Sequence, residues 1–124
     1  MVVFFAHALI VLAAWTVAIK YLFPLGYALA YGLPPLAHVT WDAWPLVHLW
    51  LAWALLRRPA YLVPLALAVS AAEVAIVAVK FAVFLDAPEW TIWTTNWFVN
   101  KAFVLLLFAA LLPYVWVNRR RLAG

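Results

Sequence analysis

Cysteine and glutamine are absent from this 124-residue chain, and it holds only three glycines, one methionine and one serine. Without cysteine there are no disulfides, no thiolate nucleophile, no iron–sulfur ligands and no cysteine-based zinc site. Three glycines cannot furnish a phosphate-cradling loop, and no HExxH helix occurs. Ser70 has no histidine beside it in sequence, so a hydrolytic triad has no support. Charge is scarce too, at 10% of residues. The lack of glutamine, with little methionine and asparagine, leans toward a thermophilic or high-GC source.

What fills the chain is oil. It is 72% hydrophobic, against about 45–50% in an ordinary soluble domain. A protein this small has too much surface for its volume to hide that much apolar area from water. An integral membrane protein of one domain, residues 1–124, is expected, with bound lipid around it. No basic stretch precedes Val2 and the first apolar run is too long for a cleaved leader, so a retained span is expected there.

Crossing a hydrocarbon core of about 30 Å takes about 20 apolar residues. Four segments are candidates: about 2–23, 41–56, 60–85 and 96–117. Pro24 and Gly26 interrupt the first run, and "LGYALAYGL" follows before Pro34-Pro35. A span that ends or kinks near Phe23 is expected, with residues 25–33 either extending it or lying at the interface. The short connections make successive helices antiparallel neighbours. The fold class is therefore all-α, a four-transmembrane-helix bundle.

Arg57, Arg58, Arg119, Arg120 and Arg121 all fall on one side of such a bundle. The positive-inside rule makes that side cytosolic, with both termini inside a multi-pass protein of the cell membrane. This arrangement explains the +4 net charge without nucleic acid. The opposite loops carry Asp42, Asp86, Glu89 and most of the tryptophans, an aromatic belt. Lys20, Lys80 and Lys101 all map to that outer boundary. Snorkelling to the headgroups is the plain reading of these lysines. An outward site for an anion or a carboxylate-bearing partner is the functional one. His38, one turn before Asp42, is expected to cap or hydrogen-bond there.

Two positions resist the plain reading. Glu73 sits mid-span, too deep to snorkel, where an ionised carboxylate costs several kcal/mol unless it faces protein or carries a proton. Ser70 and Lys80 share its helical stripe, and Lys80, two turns on, leans back toward it. A structural pair inside the bundle, proton or substrate coupling, and a contact with another subunit all answer to that stripe. His7 and His48 fall at similar depth on neighbouring helices, the placement that two axial ligands of a b-type haem, or a quinone site, would need.

Small multidrug transporters, dual-topology fluoride channels and haem-bearing anchors of quinone oxidoreductases share the plan of four short spans. Their motifs are not here: the first span carries His7 and Lys20 rather than a glutamate, and the fluoride channel's polar motifs are missing. With little polar lining and large aromatic surfaces, the chain is expected to be a non-catalytic accessory subunit. Its partners would be other integral membrane subunits of a larger complex, respiratory or photosynthetic electron transfer being the class in view. A small proton- or ion-coupled transporter centred on Glu73 and Lys80 is the alternative. A haem- or quinone-binding anchor using His7 and His48 is the third.

Overall fold

The computed structural model describes residues 1–39 and 41–123, and the regular structure among the described residues is all helical, with no strand. The first helix, α1, runs Val2–Val17. It continues without a break through a π-helical turn, Ala18–Leu22, into α2, Phe23–Ala30. Then follow α3 (Trp44–Arg57), α4 (Leu62–Asp86), α5 (Ile92–Val117) and the short α6 (Arg119–Ala123).

Three of these helices are long and apolar enough to cross a membrane: Val2–Ala30, α4 and α5. The fourth expected span, α3, has 14 residues and reaches only about 21 Å. The expectation of four spans thus meets three membrane-length helices and one shorter helix packed among them.

Of the two expectations at Phe23, an end or a kink, the helix does not end there. Pro24 lacks the N–H that would bond the Lys20 carbonyl, and its ring presses toward that oxygen. The helix accommodates this by widening into a π-turn immediately before it, where Phe23 N–H bonds Ala18 O. The helix therefore survives its proline. What ends it is Gly32, at φ +65°, where Leu33 N–H bonds Ala28 O at 2.8 Å in a Schellman closure. Pro34 and Pro35 forbid any continuation. At 29 residues the first helix is about 44 Å long, so it tilts or projects beyond a bilayer.

The closest packing joins α1 to α3 and α4 to α5. Leu9 and Leu12 of α1, Leu51 and Leu55 of α3, Leu62 of α4 and Phe108 and Leu111 of α5 are among the fully buried side chains that form one core. Near the two ends of the chain, the Phe5 and Tyr114 rings lie 5.2 Å apart. Halfway along, Trp15 meets Phe103 edge-on at 5.5 Å. At the far end Phe84 abuts Trp90 and Trp97. The helices therefore run antiparallel, and both chain ends meet at one pole of the bundle. Val79, Val83, Leu106 and Val117 stand exposed on the outer surface, where hydrocarbon is their natural solvent.

Arg58 closes α3 in the left-handed region at φ 53°, ψ 54°, a conformation that costs an L-residue about 1 kcal/mol or more. Replacing it with glycine should stabilise the fold by about that amount. Gly32→Ala should destabilise it similarly, although a Cβ there would meet nothing within 4 Å. Opposite shifts in detergent-solubilised thermal unfolding would confirm both backbone assignments, and shifts of one sign would refute them.

Candidate functional site

At the pole opposite the chain ends, the π-turn presents Lys20 and Tyr21 side by side toward the start of α3. Lys20 Nζ donates to Asp42 Oδ2 at 2.7 Å. Tyr21 Oη accepts from the Asp42 N–H at 2.8 Å and donates to its carbonyl at 3.1 Å. The other carboxylate oxygen, Oδ1, accepts the Trp44 N–H at 2.9 Å, satisfying a free donor of the first turn of α3. Asp42 thus ties the first helix to α3. Its burial pushes the carboxyl up. The Lys20 hydrogen bond and charge, the Trp44 amide and the charge of Lys101 together outweigh this and hold it below the ordinary carboxylate value.

Beside this knot lies a cavity of about 490 Å³. Lys20, His38, Lys80, Trp93, Asn96 and Trp97 line it. His38 stacks flat on Trp93, centroids 4.8 Å apart at 15°, while Tyr27 meets both rings edge-on. The expected bond from His38 toward Asp42 gives way to this stack, since Lys20, Tyr21 and Trp44 take the polar atoms of Asp42.

Deeper in the bundle the polar groups continue. One helical turn from Asn96, Asn100 is fully buried and donates from Nδ2 to Thr16 Oγ1 at 3.3 Å. Thr16 in turn donates to the Leu12 carbonyl at 2.8 Å. Lys101 is only 5% exposed. It and Asn100 face the interior, where α5 packs on α4 and α1.

The deepest element is a hydrogen bond between His48 Nε2 and Glu73 Oε1, with His48 fully buried and Glu73 3% exposed. The imidazole lies between the rings of Trp44 and Phe108. Ser70, one turn before Glu73, is fully buried as well. Three buried polar atoms of the bundle have no hydrogen-bond partner among the described residues: His48 Nδ1, Ser70 Oγ and Asn100 Oδ1. Orphans of this kind mark a place where water, a proton or a ligand completes the network.

The structure separates residues that sequence spacing had joined. Glu73 pairs with His48, whereas Lys80, on the same helix, is exposed and faces the cavity. His7 is exposed, its Nδ1 2.7 Å from the Val3 carbonyl, so it and His48 have different surroundings and different partners. Arg57 and Arg58 close α3. Arg119 donates to the Trp116 carbonyl at 2.6 Å and stacks over its indole at 4.2 Å. Arg121 donates to Tyr114 Oη, and Arg120 is exposed in α6. Thr16, Tyr21, Asn96 and Asn100 were not singled out from sequence. The cluster of Asn96, Asn100 and Lys101 in an otherwise oily helix was the readable signal for two of these four.

No protein-family model matches the chain, and no curated protein or solved structure matches it either. What the site can do must be read from its own chemistry.

Asp42→Asn should destabilise the fold by about 1–3 kcal/mol, because it leaves the Lys20 ammonium poorly compensated. Because the folded-state value of Asp42 is depressed, its contribution is complete above the unfolded value of about 4 and is lost as pH falls through the lower folded value. Thermal unfolding of the wild type should therefore drop more steeply between about pH 5 and pH 3 than that of the variant, and parallel profiles would count against the assignment.

Proposed function

We propose that this chain is a multi-pass cell-membrane protein that handles a proton, or a small ion linked to one, through the pair His48 and Glu73. The buried pair carries the reading. Glu73 lies eleven residues past the start of α4 and thirteen before its end, far from either membrane surface. Intramembrane ionisable groups are costly, and they face the bundle interior where they mark ion and proton paths. A carboxylate and an imidazole in contact hold one proton between them, and gain or loss of a proton changes the charge of the whole pair. The orphaned atoms of His48, Ser70 and Asn100 supply sites for water or a passing ion.

The arginines and both chain ends share one pole, which the positive-inside rule makes cytosolic. The cavity then opens outward. The absence of cysteine makes single-cysteine labelling clean. Arg57→Cys and Arg119→Cys should both react only in permeabilised cells, and labelling of either in intact cells would overturn this orientation.

Reconstituted in liposomes, the wild type should dissipate a pH gradient or drive ion uptake with it. Glu73→Gln, which keeps the shape and a hydrogen bond to His48 but cannot titrate, should abolish that flux while the protein still folds. A wild type that moves nothing ends the proposal.

A second reading rests on α3. It is too short to span the hydrocarbon alone, and Leu46, Leu49, Trp50, Trp53 and Leu56 are exposed along it. A neighbouring membrane subunit covering this helix suits an accessory subunit of a larger complex, with electron-transfer complexes of respiration or photosynthesis as the class first expected. Mild-detergent purification of a tagged chain would then bring down larger subunits in fixed ratio, whereas a clean monomer or homodimer would refute it.

A further inference from the structure

The outward cavity has a chemistry of its own, distinct from that of the buried pair. Its polar lining is made of the ammoniums of Lys20 and Lys80, the imidazole of His38 and the amide of Asn96, with no carboxylate among the lining residues. Lys20 is already neutralised by Asp42. Lys80 forms no ion pair among the described residues, and Lys101, buried nearby, adds a further positive charge within Coulombic range of both. The cavity thus has one free, flexible ammonium at its surface and an excess of positive charge around it. The remaining walls are the flat rings of Trp93 and Trp97 with the aliphatic Ile19, Ala37 and Val39. Trp93 is braced by His38, Tyr27 and Phe23, and Trp97 by Phe81 and Phe84. About 490 Å³ falls within the range of small-molecule sites, which pair an apolar, aromatic lining with a few convergent polar groups.

We propose that this cavity binds a small organic monoanion, a carboxylate joined to a flat apolar body, with Lys80 and Asn96 holding the carboxylate and the indoles of Trp93 and Trp97 holding the body. A single free ammonium matches one negative charge. No guanidinium lines the cavity to form the two-pronged fork that favours phosphate. The assignment of the cavity to the outer side rests on the orientation given above, but binding itself does not depend on the transport reading.

The same carboxylate chemistry has two sources, a soluble acid or a fatty acid from the outer leaflet. The test uses purified protein in phosphatidylcholine nanodiscs, titrated with benzoate and with its neutral counterpart benzamide, and followed by tryptophan emission. Benzoate should quench saturably and benzamide should not. Lys80→Gln should weaken benzoate binding about tenfold, the loss of roughly one charge-assisted contact, and Lys80→Arg should restore most of it. Lys80 is exposed, so its removal leaves the core intact. Trp93→Phe should remove a large part of the quench, which locates the ligand. Oleate added to the nanodiscs either competes with benzoate, giving a membrane-borne ligand, or does not, giving a soluble one, and both results uphold the site. Glu73→Gln should bind benzoate like the wild type, so loss of flux and loss of binding are separable. Equal quenching by benzamide, or unchanged affinity in Lys80→Gln, would overturn the proposal.

Discussion

Hydrocarbon offers a buried polar group no hydrogen bond, and this constraint organises the molecule. A polar side chain in the apolar helices gains by finding a partner in the protein or reaching an end of the bundle, and Ser70, buried without a hydrogen-bond partner among the described residues, is the exception. Thr16 bonds back to its own helix, Asn100 reaches Thr16, and Glu73 reaches His48. The orientation of the helices follows from these needs as much as from apolar packing. Lipid is as apolar as leucine and does not by itself drive helices together.

The π-turn shows how a local conflict becomes a tertiary tie. Pro24 disturbs the hydrogen bonding of the preceding turn, and the helix widens there rather than breaking. That turn carries Lys20 and Tyr21, and Asp42 takes a bond from each. A backbone irregularity thus sits where the first helix is fastened to α3, and where the cavity begins. Proline and charge, which a simple reading treats as signals to stop a span, here cooperate in keeping it.

Composition and the lengths of the apolar runs were enough to show that the fold is helical and built for a membrane. Those properties depend on how much oil the chain contains and in what unbroken lengths, both local quantities. Boundaries were less legible, since Pro24 and Gly32 both signal an end and only the Schellman closure shows which one acts. The pairings were not legible at all. Lys80 is seven residues from Glu73 on one stripe, yet His48, twenty-five residues away in sequence, holds the carboxylate. His7 and His48 were expected at similar depth, but depth says nothing of rotation about a helix axis.

The residues alone determined that this polypeptide is helical, with runs long and apolar enough to cross a membrane, and charged asymmetrically along its length, because apolar content and charge position are properties of each segment by itself. Which polar groups meet was decided only by tertiary structure. All the long helices are oily nearly all round, so periodicity marks no inner face. The angle at which each helix turns its few polar residues inward is set by partners on other helices.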